Sequence, residues 1–141
     1  MRKRITSLLL TLVMLLSLVP AMGVTALAAG NYPAANAVFV YGDKDFSSSS
    51  YYKNGNESGN KDDYNAHYDS TTGTLTLSGY DGGRITLGGA SDRDLTIKLI
   101  GNNTVTVGSD AGIVATSTGC NIIITADTGS SGKLTINATS G

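Results

Sequence analysis

The fold of this chain is decided by residues 94–107, which read DLTIKLIGNNTVTV. Apolar residues alternate with polar ones on both sides of a Gly-Asn-Asn break, which is the period of a strand that buries one face. Glycine and asparagine supply the backbone conformations that a tight corner needs. We therefore predict two strands joined by a corner, Leu95–Leu99 and Thr104–Val107.

The same pattern extends over residues 71–141. Short β-branched and aliphatic runs are interrupted every few residues by Gly, Asn, Asp or Ser, and no segment has a useful helical period. The other strands predicted there are Thr74–Leu77, Arg84–Leu87, Ile113–Ala115, Asn121–Thr125 and Lys133–Ile136. Residues 29–70 are polar and irregular, with one predicted strand at Ala37–Tyr41.

Every third strand recurs at nearly one period. The separations are 30 and 29 residues for Leu75, Val105 and Leu134, 28 for Ile85 and Ile113, and 27 for Leu95 and Ile122. Three-stranded coils that stack on one another require such a period, and the inward side chains of these strands are all apolar. We predict an all-β chain, folded as a parallel β-helix. A hairpin sandwich is the alternative, because short alternating strands also pair antiparallel.

Three segments follow from these patterns. Residues 1–28 are predicted to be a signal peptide, because a basic start precedes the apolar run 8–19 and the cleavage pattern Ala26-Leu27-Ala28. Residues 29–70 are predicted to be an N-terminal cap, and residues 71–141 the first two to three coils. The last coil stops where its third strand should begin, so we expect that Gly141 is not the natural end of the protein.

Charge and cysteine content exclude several classes of function. All 11 acidic residues but only 7 of the 10 basic ones lie beyond residue 28, which gives the mature part a net charge of −4. Nucleic acids and anionic membranes bind basic surfaces, so neither is an expected partner. The one cysteine, Cys120, cannot form an internal disulfide and is interpreted as a small turn or core residue.

Four segments resemble secreted cell-surface proteins of Gram-positive bacteria, and the resemblance covers most of residues 36–137. They are DYNAHYD (63–69), TGTLTL (72–77), YDGG (80–83) and DLTIKLIGNNTVT (94–106). The resemblance implies a right-handed parallel β-helix of the pectate-lyase-like type, in proteins often described as carbohydrate-binding. We expect a non-catalytic, exported surface protein that binds polysaccharide or cell-wall glycan, without a cofactor. A Ca²⁺-dependent polysaccharide lyase and a structural spacer are the alternatives.

The lyase hypothesis needs acidic residues for Ca²⁺ and a base that removes a proton next to a uronate carboxylate. The candidates are Asp92, Arg93, Asp94 and Lys98, but the next coil adds no acidic residue beside them, so a turn-capping role for the two aspartates is favoured. Residues 54–65 also resemble a Ca²⁺ loop. That match fails at both ends, where Asn54 and Asn65 replace the usual Asp and Glu.

Two groups of residues are candidates for glycan binding. Stacked coils would align Thr74, Thr104 and Lys133 in one outward column, and Thr76, Thr106 and Thr135 in the next; threonine is also an ordinary strand residue. Tyrosine rings can pack against the C–H faces of sugars. Of Tyr51, Tyr52, Tyr64, Tyr68 and Tyr80, we assign Tyr64 and Tyr68 to the cap and favour Tyr51 and Tyr52 as exposed sugar platforms.

Overall fold

The computed structural model of the chain describes residues 32–89 and 91–139. Within them, a single 3-10 turn (Ala35–Ala37) precedes thirteen strands. These are β1 (Val38–Val40), β2 (Lys44–Asp45), β3 (Tyr51–Lys53), β4 (Asn56–Glu57), β5 (Ala66–Asp69), β6 (Thr74–Ser78), β7 (Asp81–Gly82), β8 (Ile85–Leu87), β9 (Asp94–Ile100), β10 (Asn102–Val107), β11 (Ile113–Ala115), β12 (Asn121–Ala126) and β13 (Lys133–Ala138). The prediction of an all-β chain is confirmed. The predicted signal peptide 1–28 lies outside the described residues, as do residues 140 and 141.

The strands form three mixed or parallel sheets. The largest has six strands in the order β12-β9-β6-β5-β3-β4, the second has the order β11-β8-β1-β2, and the third has the order β13-β10-β7. Pairs among β6 to β13 are parallel, whereas every pair that involves β1 to β5 is antiparallel. In the part of the chain described here, no helix has the length and apolar character that crossing a membrane requires.

Alternation along the strands decides which side chains form the core. In β9, Leu95, Ile97 and Leu99 are buried, and the polar Thr96 and Lys98 between them point to the opposite face. In β6, Leu75 and Leu77 are fully buried, and Thr76, which faces the opposite side, is itself only 8% exposed. Burial of such side chains stabilises each by about 1.5–3 kcal/mol relative to exposure, and it is the main force holding a chain that has no disulfide.

Two of the predicted parallel pairings are confirmed residue for residue. Leu95 pairs with Ile122 in β9 and β12, and Ile85 pairs with Ile113 in β8 and β11. The pairing of β10 with β13 is also as predicted, but its register differs by two residues, since Val105 lies beside Ile136 rather than Leu134.

The prediction for Leu75 is wrong. Its strand, β6, pairs with β9 and places Leu75 beside Ile97, so Leu75 does not belong with Val105 and Leu134. The strand that pairs with β10 at that level is β7, which is only two residues long and contains Gly82 opposite Val105. Two residues of Asp and Gly carry no hydrophobic alternation, and the sequence pattern therefore did not indicate a strand there.

Residues 32–70 contain five strands rather than the single predicted one. They contribute Val38, Val40 and the aromatic residues Phe46, Tyr52 and Tyr68 to the core, each at most 3% exposed. The Phe46 ring contacts both tyrosine rings, with its centroid 5.3 Å from that of Tyr52 and 5.6 Å from that of Tyr68. β5 pairs with β6 across the predicted boundary at residue 70, so both segments share one sheet.

Three isoleucines remain about half exposed at the outermost strands. Ile123 and Ile124 of β12 and Ile136 of β13 are 51%, 49% and 48% exposed. Ile124 and Ile136 are on the inward-facing side of their strands, in line with the buried Ile97 and Val105. Apolar side chains are thus less covered at this end of the sheets than at the middle.

Asn103 is the one fully enclosed amide of the described core and explains the shifted register of β10. It is 1% exposed, accepts a hydrogen bond from the Tyr80 N–H at 2.9 Å, and donates to the carbonyls of Ile100, Gly101 and Lys133 at 3.2–3.3 Å. The side chain therefore satisfies backbone groups of three successive corners. The predicted all-apolar interior needs this correction.

Replacing Asn103 by Ala should lower the free energy of unfolding by about 2–3 kcal/mol, because buried backbone groups would lose their partner. Chemical denaturation followed by circular dichroism measures the change. Asn102→Ala, at the neighbouring exposed position, is the matched control and should change stability by less than about 0.5 kcal/mol. Equal effects of the two substitutions would contradict the role assigned to Asn103.

Candidate functional site

The outward face of the six-stranded sheet carries one row of side chains that crosses five strands. In this row Tyr51 pairs with His67, His67 with Thr76, Thr76 with Lys98, and Lys98 with Thr125. With about 4.8 Å between neighbouring strands, the row extends for about 19 Å. Residues 32–70 supply one half of it and the parallel strands supply the other.

An open groove of about 310 Å³ lies beside the middle of this row. It is lined by His67, Asp69, Thr72, Thr74, Thr76 and Lys98. The lining combines one aromatic ring, three hydroxyl groups, one carboxylate and one ammonium. The groove therefore offers one flat ring beside five side chains that donate or accept hydrogen bonds.

Three rings form an aromatic cluster at one end of the groove. Tyr51 and His67 are stacked with centroids 4.3 Å apart and planes 10° apart, and Tyr64 contacts both rings at 5.5 and 5.6 Å. Because the two stacked rings stand on neighbouring strands, the face of His67 that Tyr51 does not cover is turned towards Thr76 and the groove. Burial lowers the pKa of His67, with a smaller opposing effect from Asp69, so the imidazole is neutral at pH 7.

Asp69 forms the wall of the groove at the turn between β5 and β6. One carboxylate oxygen accepts hydrogen bonds from the Thr71 N–H at 2.9 Å and the Thr71 hydroxyl at 2.6 Å, and the other accepts from the Thr72 hydroxyl at 2.9 Å. These bonds, Thr71 first, lower the pKa of Asp69 and keep it ionised. Gly73 completes the turn at φ 63°, and the Tyr32 ring packs so closely on it that a Cβ atom would not fit.

Lys98 lies on the opposite side of the groove and is already paired. Its ammonium is 3.1 Å from a carboxylate oxygen of Asp127, and this bond lowers the pKa of Asp127. Both charges act on the nearby Tyr64 hydroxyl, whose pKa is raised mainly by burial. The cation of the groove is therefore compensated by an acid that lies just beyond it.

The two tyrosines predicted to be exposed sugar platforms, Tyr51 and Tyr52, lie on opposite faces of the sheet. Tyr51 is partly exposed and belongs to the row, but Tyr52, the next residue of β3, points into the core and donates to the Asp45 carbonyl at 2.6 Å. The prediction that Tyr52 is exposed is wrong, since adjacent residues of a strand face opposite sides. Tyr80 is also buried, and Tyr68 is buried with its hydroxyl 2.5 Å from the Pro33 carbonyl.

The predicted threonine columns are wrong. Thr76 lies on the six-stranded sheet beside Lys98, whereas Thr106 and Thr135 lie on the three-stranded sheet and pair with Asn137 and Thr104. The first column fails for the same reason, since Thr74 pairs with Thr96. Of the predicted binding residues, only Tyr51 and Thr76 are brought together, and the roles of Thr106 and Thr135 stay predictions.

Three of the four residues of the lyase hypothesis have another side-chain or backbone partner. Asp94 accepts a hydrogen bond from the Asn121 side chain at 2.8 Å, Arg93 donates to the Tyr32 carbonyl at 3.1 Å, and Lys98 pairs with Asp127. Asp92 takes a left-handed conformation at φ 53° in the preceding turn. Asp94 thus binds a residue of the neighbouring strand β12 rather than its own turn, and the turn-capping role of the two aspartates stays a prediction.

The segment that resembles a Ca²⁺ loop begins with a hairpin turn instead. Asn54 and Gly55 form the two-residue turn between β3 and β4, with φ values of 50° and 78°. The N–H of Asn54 donates to the side-chain oxygen of Asn65 at 3.1 Å, which uses an oxygen that a metal would need. Across residues 32–89 and 91–139, no three His, Cys, Asp or Glu side chains are grouped as metal ligands.

The sequence reasoning missed His67 and Asp69 as site residues and treated Tyr64 as part of the cap. A signal for the first two was present, because Ala66-His67-Tyr68-Asp69 alternates small or aromatic with polar residues as a half-buried strand does. Asp127 could not have been found this way. It comes close to Lys98 only because β12 lies beside β9.

Comparisons of this chain with family models, curated proteins and solved structures find no match. The function of the protein is therefore inferred from the geometry of the groove and of the aromatic cluster.

The imidazole of His67 should titrate below its ordinary value of about 6.5, because the stacked tyrosine withholds water from the charged form. NMR of the imidazole C–H signals measures this directly, since the chain has one histidine. Tyr51→Ala should raise the pKa towards 6.5, and Asp69→Asn should lower it further. A wild-type value at or above 6.5 would contradict the burial of this ring.

Proposed function

We propose that the protein is a non-catalytic, exported cell-surface protein that binds a polysaccharide or cell-wall glycan in the groove. The observation that carries the proposal is the half-buried ring of His67, which is stacked on Tyr51 and lines a groove together with hydroxyl and carboxylate groups. Sugar rings present C–H faces that pack on a flat ring and hydroxyl groups that need hydrogen-bond partners. The groove offers both within one continuous surface.

The shape of the site supports a chain-like ligand rather than a small enclosed one. The groove is open to solvent, and the row from Tyr51 to Thr125 continues past it for about 19 Å across the sheet. A polymer could therefore enter and leave sideways, with several units in contact. The row is also built on strands rather than on loops, which holds its side chains at fixed spacing.

Export is proposed from the predicted signal peptide of residues 1–28, and surface location from the resemblance to secreted Gram-positive proteins. The mature net charge of −4 and the absence of any disulfide-forming pair are compatible with both. Adhesion to a glycan-coated surface is the biological role that such a protein would have.

We further propose that the parallel strands are coils of a right-handed parallel β-helix, with residues 32–70 as its N-terminal cap. Three strand ladders, β6-β9-β12, β7-β10-β13 and β8-β11, follow one another along the chain and support this architecture. Parallel strands joined by a crossover are right-handed in about 98% of cases, which supports the hand. The antiparallel strands β3 and β5 extend the same sheet beyond β6, as a cap would.

Replacing His67 by Ala should weaken glycan binding about tenfold, which corresponds to about 1.4 kcal/mol. A glycan array identifies a bound polymer, and affinity electrophoresis in that polymer measures the change. Thr76→Val should also weaken binding because it removes a hydroxyl group from the floor. Thr106→Val makes the same change at an exposed position of the other sheet and, if the groove is the binding site, should bind as the wild type does.

Two results would contradict the proposed site. One is unchanged affinity in both groove variants while circular dichroism reports a folded domain. The other is a loss in Thr106→Val equal to that in Thr76→Val, which would place the ligand on the three-stranded sheet or reveal a general effect on folding.

The coil arrangement can be tested by engineered disulfides in a Cys120→Ser background. Paired residues of neighbouring parallel strands lie at about 4.8 Å, within the range that a disulfide spans. Thr96→Cys with Ile123→Cys, Thr86→Cys with Val114→Cys, and Thr104→Cys with Thr135→Cys should each oxidise within one chain. Thr76→Cys with Thr106→Cys, on different sheets, should not. In a hairpin sandwich the three parallel pairs would not be adjacent, so failure of all three to oxidise would contradict the coil arrangement.

A further inference from the structure

We infer that the groove selects neutral, hydroxyl-rich glycans and rejects polymers that carry carboxylates. This inference rests on the proposed glycan-binding function and adds the chemical class of the ligand. It follows from how each charged group around the groove is already engaged.

The ammonium of Lys98 is the cation that an acidic sugar would need. It is 3.1 Å from Asp127, and both side chains are partly exposed, at 40% and 35%. A uronate that approached Lys98 would have to compete with an acid held on the neighbouring strand β12. The pair leaves Lys98 with hydrogen-bond donors for a hydroxyl oxygen but with little uncompensated charge.

Asp69 adds a negative charge to the opposite wall. Three donors from Thr71 and Thr72 occupy part of its acceptor capacity, and an ionised carboxylate has further lone pairs that accept from sugar hydroxyls. The same carboxylate repels an anionic ligand. Together with Asp127, it gives the groove two acids against the one cation, Lys98.

The ring that forms the platform adds no charge of its own. His67 is stacked on Tyr51 and flanked by Tyr64, which favours its neutral form at pH 7. The hydroxyl groups of Thr72, Thr74 and Thr76 complete the lining with groups that both donate and accept. The surface as a whole therefore matches the donors and acceptors of an uncharged sugar chain.

Matched polymers test the inference because the two members of each pair share one backbone and only one of them carries free carboxylates. The pairs are dextran with carboxymethyl dextran, hydroxyethyl cellulose with carboxymethyl cellulose, and methyl-esterified with free polygalacturonate. Affinity electrophoresis at low ionic strength, where charge effects are least screened, should show retention by a neutral member and at least about threefold weaker retention by its acidic partner.

The variant Asp127→Asn should release Lys98 and raise retention by the acidic member several-fold, with little change for the neutral one. Asp43→Asn removes the same charge at a distant exposed turn, beside Lys44, and should have no such effect. This control separates the local charge of the groove from the net charge of the protein.

The outcomes distinguish this inference from the function on which it rests. Tighter binding of the acidic members by the wild type, or equal gains in Asp127→Asn and Asp43→Asn, would overturn the selectivity while leaving glycan binding intact. Retention by no member of any pair would contradict glycan binding itself, and the selectivity with it.

Discussion

The register of β9 against β6 is the constraint on which the groove depends. Leu75 and Leu77 lie beside Ile97 and Leu99 on the buried face, and this pairing brings Thr76 next to Lys98 on the outer face. A shift of one residue would expose the leucines and bury Lys98, so the hydrophobic core excludes it. The position of every polar group in the groove is thus set by apolar side chains that never contact a ligand.

The antiparallel strands of residues 32–70 use the same constraint to complete the site. Ala66 and Tyr68 of β5 are buried opposite Leu77 and Leu75, which turns His67 and Asp69 outwards beside Thr76 and Thr74. The buried tyrosines also hold the segment in place, because the Tyr68 hydroxyl donates to the Pro33 carbonyl, 35 residues away, and the Tyr52 hydroxyl donates to the Asp45 carbonyl. A segment that covers the end of the parallel strands therefore also supplies the aromatic cluster.

Local sequence patterns predicted the positions of the strands well, and they predicted less well which strands pair with each other. All seven strands expected after residue 70 are present, with ends within two residues, since alternation and corner residues are local signals. Pairing was correct where both strands carry similar apolar runs, as in Leu95 with Ile122. The predicted pairing of Leu75 with Val105 was wrong. The strand beside Val105 is β7, which has no hydrophobic pattern by which the sequence could reveal it. The two-residue shift at Val105 reflects Asn103, a buried polar residue that a search for apolar positions passes over.

The sequence alone determined the all-β class, the net charge, and the division into outward and inward residues in strands with a clear apolar alternation, such as β9. These properties depend on composition and on a period of two, both of which are local. The tertiary structure decided which outward residues meet. Tyr51, His67 and Lys98 are distant in the chain and become neighbours only through strand pairing, and Tyr52 is withdrawn into the core by the same pairing. Contacts across a sheet depend on register, which long-range packing selects and no short segment encodes.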